Sequence, residues 1–339
     1  MQPPITQPNA RPRIEGGKPW KDRTDVTAPK PDIRVILNLG SGKRRGAALV
    51  DELKEQFDRY PGRFDLAKVK PGADIAGEAR RAVDEGFETV VACGGDGTIS
   101  GVAQGLAGTE ARMGVLSFGT FNYFARSLGL PESTEDKVRV LVEGEPRAIN
   151  LGAVNGQVFL NNASLGAYAK ILERREDIYK RFGRSRIAAF WSVFSTLADN
   201  RAPMVLRVTV DGREMRARTP LVFVASNAYQ LEQFGLAGAD CVREGKFALF
   251  LAPDGSPREL VGFALRLGLR SLKPERDFEL VCGREIVVES TKRRRLVARD
   301  GEREHMEAPF RFEMRESGLT VLVPRAAEES ASEEAEKVA

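Results

Sequence analysis

From Ile33 onward, short apolar runs alternate with stretches in which apolar residues recur every three or four positions. Residues 33–39 (IRVILNL) read as a buried strand, and Leu49, Val50, Leu53 and Phe57 follow at helical spacing until Pro61-Gly62 closes the helix. The pair then repeats. A strand over 64–69 precedes a helix that turns Ile75, Ala79, Ala82 and Val83 inward, and a strand over 89–93 (TVVAC) precedes a helix over 98–106. A fourth strand over 113–118 precedes a helix that opens after Gly119. Four strand–helix units in succession predict a parallel sheet covered by helices on both faces.

Past about Gly144 the pattern changes. Asn155-Gly156 and Asp211-Gly212 each sit between apolar alternating runs, the strongest short signal for a two-residue hairpin. Further strands are expected over 221–225, 246–251, 278–281, 285–289 and 320–323, with helical insertions near 168–197 and 258–272. The second half is therefore mainly antiparallel β, and no internal repeat is present. Residues 1–31 hold seven of the 18 prolines and little periodicity, the signature of a disordered leader; the acidic stretch over 325–339 reads as a disordered tail. Between them, an α/β half over 32–146 is expected to precede a β half over 147–324.

Composition sharpens this in a few places. A chain of 339 residues suits two domains. The formal charge is +4, but residues 326–339 carry net −4, so the body is +8. That mild excess suits phosphate substrates or anionic lipid surfaces and falls short of a nucleic-acid binder. Cys93, Cys241 and Cys282 are scattered and odd in number, which argues against a disulfide framework or a zinc ribbon and for a reducing compartment. His305 is the only histidine, so His-based metal clusters are excluded and catalysis should rest on carboxylates, Lys/Arg and backbone dipoles. The longest charge-free stretch, 148–169, contains four Asn and a Gln and is too polar to span a bilayer; the N-terminus lacks the apolar core of a signal peptide. A cytoplasmic protein, at most peripheral on the inner membrane face, is expected.

The sharpest local signal is Gly94-Gly95-Asp96-Gly97-Thr98, between a buried strand and a helix. Glycines let the backbone turn tightly and approach a ligand, Thr98 is a natural N-cap, and the free amides at the helix start suit an anion. Asp96 is a carboxylate within a phosphate-shaped turn, which makes chemical sense if Mg2+ or an acceptor hydroxyl lies between the two. Gly40-Ser41-Gly42-Lys43 is no Walker A motif, because Leu37 and Arg44 stand where Gly and Ser/Thr are required. With Asn38 it could still hold phosphate or adenine, and read alone it is equally a plain turn. Gly119-Thr120-Phe121-Asn122 opens a third turn of the same kind. Three such turns at the carboxyl ends of parallel strands would line one crevice, where open α/β sheets bind ligands.

Together these segments resemble the diacylglycerol kinase catalytic family, which includes sphingosine and ceramide kinases and bacterial soluble lipid kinases. Asn38-Leu39-Gly40-Ser41-Gly42 is similar to the family's N-P-x-S-G turn, with Leu39 where Pro is usual, and residues 94–98 match its GGDGT. Residues 119–126 (GTFNYFAR) resemble its G-T-x-N-D-F-A-R, and Asp300-Gly301-Glu302 its late D-G-E, before the closing run 319–324. The likeness covers about residues 32–324. GGDGT also occurs in NAD kinases, which makes NAD kinase the alternative within enzymes; a nucleotide- or lipid-binding protein without catalysis is the alternative outside them.

The resemblance implies a nucleotide-binding α/β domain, a C-terminal β-sandwich that takes the lipid, a chain end returning to the first domain, and an active site in the cleft. It implies an ATP- and Mg2+-dependent lipid kinase of phospholipid biosynthesis, acting on a diacylglycerol- or sphingoid-like lipid. Glu302 would be the general base and Asp96 would hold Mg2+ or share that role. Asn38, Ser41, Gly42, Lys43, Gly94, Gly95, Asp96, Gly97, Thr98, Gly119, Thr120 and Asn122 would contact the nucleotide. Tyr123 replaces a family Asp, and residues 68–72 lack a Thr that often touches nucleotide. Bacterial members also carry a structural Mg2+ near an Asp-Gly, whose counterpart here is Glu244-Gly245, with Glu244 as the metal ligand.

Two segments could meet a membrane: 187–198, with Phe190, Trp191, Phe194 and Leu197 beside a basic run from Arg174 to Arg186, and 259–272. Each reads equally well as a helix packed on the sandwich. Lys292–Arg295 is expected to be a solvated turn. The expected partners are ATP and a lipid met at a membrane surface, with no nucleic acid; a homodimer is compatible with the sequence.

Overall fold

The computed structural model describes residues 31–38, 46–166, 203–255 and 276–325, together with Glu259, Gly262 and Arg266. Its first part follows the predicted alternation: β1 (Ile33–Asn38), α1 (Gly46–Phe57), β2 (Phe64–Val69), α2 (Ile75–Asp84), β3 (Thr89–Gly94), α3 (Asp96–Leu106), β4 (Arg112–Ser117) and α4 (Tyr123–Ser127). The strands lie parallel in the order β2-β1-β3-β4. β3 is buried along its whole length, as its TVVACG sequence demands. One face packs Ile36, Val90, Ala92 and Met113 against Ala79, Ala82, Ile99 and Val102 of α2 and α3. The other packs Val35, Leu37, Val91 and Leu116 against Val50 and Leu53 of α1 and Val138 and Leu141 of a further helix, α5 (Thr134–Glu143). That helix was not anticipated, although it carries a legible start: the Ser133 hydroxyl accepts the Asp136 N–H at 3.0 Å.

The remainder is built from antiparallel strands. β5 (Glu145–Val154), β6 (Gln157–Phe159), β8 (Met204–Val210), β9 (Arg213–Thr219), β13 (Glu285–Ser290) and β16 (Phe310–Val323) extend the first sheet, while β7 (Asn162–Gly166), β10 (Leu221–Ala225), β11 (Phe247–Leu251), β12 (Glu279–Gly283), β14 (Arg294–Arg299) and β15 (Glu302–Glu307) form a second. The two sheets face each other across a shared core of Phe159, Leu165, Val208, Val224, Phe247, Leu249, Ile286, Val297, Phe310 and Phe312. That is the expected antiparallel sandwich. β16 does more than the short strand expected over 320–323. Its first part pairs with β13 and β5, its register shifts between Arg315 and Leu319, and Thr320 and Val321 then lie parallel to Arg112 and Met113 of β4. The chain end thus returns to the first sheet.

Two expectations need correction. Lys292–Arg295 is not merely a solvated turn: Arg294 and Arg295 open β14, the strand in which Val297 and Ala298 bury. The cysteines are not all free. Cys241, in α7 (Ala239–Arg243), is joined to Cys282 on β12, 41 residues away with the Cα atoms 5.8 Å apart, because β12 pairs with β11 beneath that helix. Only Cys93 remains free among the described residues, buried where its thiol is pushed up to about 12 by desolvation. A short helix, α6 (Ala228–Phe234), was also missed; Asn227 caps it by accepting the Gln230 N–H at 3.0 Å. The expected leader, tail and basic or apolar insertions at 168–197 and 258–272 fall outside the described residues, apart from the three single positions named. Among the described residues no helix is long and apolar enough to cross a membrane.

Phe312 is fully enclosed between the two sheets, its ring edge-on to Phe159 at 6.4 Å. Truncation to Ala there is expected to cost roughly 3–5 kcal/mol, read as a lowered midpoint in urea unfolding. An unchanged midpoint would contradict this account of the core.

Candidate active site

β3 runs out at Gly94, and the chain turns through Gly95 into α3. The N-cap is Gly95, which offers no side chain to the helix, while Thr98 lies one turn inside. The expected capping role of Thr98 is therefore corrected. Its buried hydroxyl folds back over Gly94, where a Cβ would lie 2.7 Å from Oγ1, and accepts a hydrogen bond from Asn38 Nδ2 at 3.2 Å. Thr98 and Ile99 donate their N–H groups to the Gly95 carbonyl at 2.9 and 3.1 Å. The first amides of α3 have no such intrahelical partner, so the helix presents a positive end at the carboxyl edge of the sheet.

A second turn lies alongside. The Phe118 N–H donates to the Gly94 carbonyl at 2.8 Å, and a Cβ on Gly119 would come within 3.2 Å of Gly95 Cα. Glycine at 119 is what lets the two backbones touch. Asn122 adopts the left-handed conformation at φ 51°, donates Nδ2 to the Gly119 carbonyl at 3.2 Å and gives its backbone N–H to the Asp96 carboxylate. Burial holds Asp96 above the usual carboxylate range, with Asp300 pushing in the same direction and the Asn122 N–H opposing both. Two oxygens in this contact, Asp96 Oδ1 and Asn122 Oδ1, are buried without a hydrogen-bond partner. Thr120 lies exposed on the same turn. Lys137, which sequence reasoning passed over, reaches in from α5: its Nζ donates to the Ser117 carbonyl at 3.0 Å and stands 5.0 Å from the Phe118 ring centre. Burial draws its pKa down.

The third component arrives from the far end of the chain. Asp300-Gly301 is a two-residue hairpin joining β14 to β15, with φ 46° and 94°, the left-handed pair for which an Asp-Gly sequence is suited. Arg299 pairs with Glu302 across it. Asp300 clamps the hairpin in place. Its Oδ2 accepts the Ser100 hydroxyl of α3 at 2.7 Å and the Leu160 N–H at 2.7 Å, and its Oδ1 accepts the Asn161 and Asn162 N–H groups at 2.8 and 3.2 Å. The result is that the Glu302 carboxylate overhangs the first turn of α3: a Cβ placed on Gly97 would lie 2.9 Å from Glu302 Oε1. Sequence reading picked out Glu302 but not the parts of Asp300 and Ser100. Their contact spans 200 positions and no local pattern announces it.

The structure therefore brings together Asn38, Gly94, Gly95, Asp96, Gly97, Thr98, Gly119, Thr120, Asn122 and Glu302. Ser41, Gly42 and Lys43 lie outside the described residues. Glu244 lies elsewhere, at the end of α7, exposed and accepting Lys246 Nζ at 2.8 Å. Among the described residues no group of three or more Asp, Glu, His or Cys side chains is arranged as a metal cage. Chemically, the cleft joins a helix N-terminus able to take phosphate, a carboxylate above it and a buried carboxylate beside it.

A sequence profile described as "Diacylglycerol kinase catalytic domain" matches residues 32–154. The chain is 33% identical over 237 residues to a diacylglycerol kinase of Bacillus subtilis (strain 168), the match covering 68% of this chain and 77% of that protein. It is 29% identical over 151 residues to a diacylglycerol kinase of Staphylococcus carnosus (strain TM300), covering 44% of this chain and 49% of that protein, so it spans about half the length of that relative. Among solved structures, the crystal structure of a diacylglycerol kinase from Bacillus anthracis strain Sterne superimposes with a TM-score of 0.65 at 18% identity, covering 87% of this chain and 97% of that one. At that identity the likeness is one of fold.

Because the folded chain disfavours ionised Asp96, the stability it contributes is fully present below about pH 4 and is lost as pH rises through its raised folded value. Asp96→Asn stays neutral throughout. Its melting temperature, followed by circular dichroism, is expected to gain on the parent's as pH increases from 4 to 8; a constant difference would contradict the assignment.

Proposed function

The chain belongs to the diacylglycerol kinase catalytic-domain family, and from that premise we propose that it transfers the terminal phosphoryl group of ATP to a hydroxyl of a diacylglycerol- or sphingoid-like lipid, with Mg2+ as its metal. The observation that carries this reading is the Glu302 carboxylate set over Gly97, in the first turn of α3. A base and a phosphate-accepting helix end must face each other for an acceptor hydroxyl to attack in line.

The residues present fit a divalent cation. Asp96 Oδ1 and Asn122 Oδ1 are buried oxygens without partners, and Mg2+ commonly takes one or two protein oxygens and completes its shell with water and substrate phosphate. These two would hold it. When bound, Mg2+ supplies charge neutralisation to the phosphate oxygens. The first amides of α3 would receive phosphate oxygens, with Asn38 on one side of that turn and Gly119 and Thr120 on the other; the family pattern adds Ser41, Gly42 and Lys43 as nucleotide contacts. Glu302 would accept the proton of the lipid hydroxyl as that oxygen moves onto phosphorus. A carboxylate suffices, since in a loose transition state proton removal need only accompany transfer. Asp300 and Ser100 hold Glu302 in place. In this reading residues 32–146 carry the phosphate site, 147–324 bring Glu302 to it, and the lipid is met at a membrane surface.

Glu302→Gln keeps the shape of the hairpin and removes the base. It is expected to lower kcat by roughly 10²–10⁴-fold while ATP binding is retained. The assay is radiolabelled ATP with diacylglycerol, sphingosine, ceramide and NAD in separate arms. Transfer to NAD alone would reject the lipid acceptor, and undiminished turnover of the variant would remove Glu302 from the mechanism.

A further inference from the structure

Phe121 is one of only two large apolar side chains that stand exposed among the described residues, at 43% of its full surface. It is not isolated. Its ring stacks on Tyr123 at 5.5 Å and 9° between planes, and Tyr123 in turn leans on Phe234 at 5.7 Å. The row begins one residue either side of Asn122, whose backbone N–H is held by the Asp96 carboxylate. It ends on α6, which belongs to the second half of the chain and is tied to α4 again where Asn227 Nδ2 donates to the Ser127 hydroxyl at 3.2 Å. An aromatic face is thus built across both walls of the cleft, beside a buried carboxylate, where solvent alone would call for polar side chains.

Sheet order places this face relative to the phosphate turn. β3, with its phosphate turn, lies between β1 and β4. Asn38, which bonds Thr98 beside that turn, ends β1, so the aromatic turn after β4 is on the opposite flank of the phosphate site. An acceptor hydroxyl lined up between Glu302 and that site would carry the rest of its molecule away from the β1 side, past this flank. We propose that Phe121, Tyr123 and Phe234 form the acceptor wall of the cleft, against which the hydrocarbon of the lipid acceptor lies. The proposal rests on the lipid-kinase reading and adds to it the residues that select an apolar acceptor.

The test compares the full-length parent with Phe121→Ala, an exposed truncation that leaves the core untouched, and with Phe121→Leu as the conservative control. Dioleoylglycerol is presented in phosphatidylglycerol–phosphatidylcholine vesicles. Loss of one buried aromatic contact should raise the apparent KM for dioleoylglycerol about tenfold or more, leave the KM for ATP within twofold, and be largely rescued by Leu. A raised KM for ATP with the lipid KM unchanged would show that the rings hold a base, and would overturn the proposal, as would no change in either. Co-sedimentation with the same vesicles, with and without dioleoylglycerol, is read alongside. If the parent transfers no phosphoryl group yet binds dioleoylglycerol vesicles in a manner weakened by Phe121→Ala, the kinase reading fails and the wall stands. If binding is indifferent both to dioleoylglycerol and to the truncation, the wall fails.

Discussion

Asp300 collects four hydrogen bonds from two separate parts of the chain, and the chemistry of the cleft is arranged around them. Three come from consecutive backbone amides at 160–162 and one from Ser100 on α3. Hydrogen bonds to an ionised acceptor are the stronger kind, and each buried amide left without its partner costs about 1–3 kcal/mol. The hairpin tip is therefore held from both sides. Two residues on, Glu302 has little choice but to overhang Gly97. The Asp300 carboxylate also adds to the burial that keeps Asp96 protonated more readily than usual, so Asp96 and Glu302 are not equivalent. One environment yields a solvent-facing carboxylate and one shielded carboxylate, a common way to divide proton acceptance from metal or phosphate binding.

This clamp works because the halves of the chain share a sheet. β16 starts inside the sandwich, passes an irregularity between Arg315 and Leu319 where Ser317 has φ 48°, and finishes beside β4. A bulge of this kind redirects a strand without breaking its pairing. The cleft walls are thus linked by continuous backbone hydrogen bonding as well as by the Asp300 contacts.

What could be read from the sequence was what is local. The parallel strands show as unbroken apolar runs because both faces are covered, and the Asn155-Gly156 and Asp211-Gly212 hairpins show because only residues tolerant of positive φ fit there. The phosphate turn was legible because glycine is needed where Thr98 and Glu302 come close to the backbone at 94 and 97. Thr98 was misassigned because its hydroxyl is claimed by Asn38, 60 positions earlier, rather than by its own helix. Ser100 and Lys137 were invisible, since each earns its place through a tertiary contact with no periodic trace. The disulfide escaped because strand pairing, not spacing, brings Cys241 and Cys282 together. β14 was hidden because Arg294, Arg295 and Arg299 stand on either side of Val297 and Ala298, which bury.

The central claim is that a terminal phosphate sits between the start of α3 and Glu302. A crystal structure of the full-length protein with a non-hydrolysable ATP analogue and Mg2+ tests it directly. The account predicts the terminal phosphate against the Asp96 and Gly97 amides, with the Glu302 carboxylate on its open side. A nucleotide seated anywhere else, or Glu302 turned away from the bound phosphate, would contradict it.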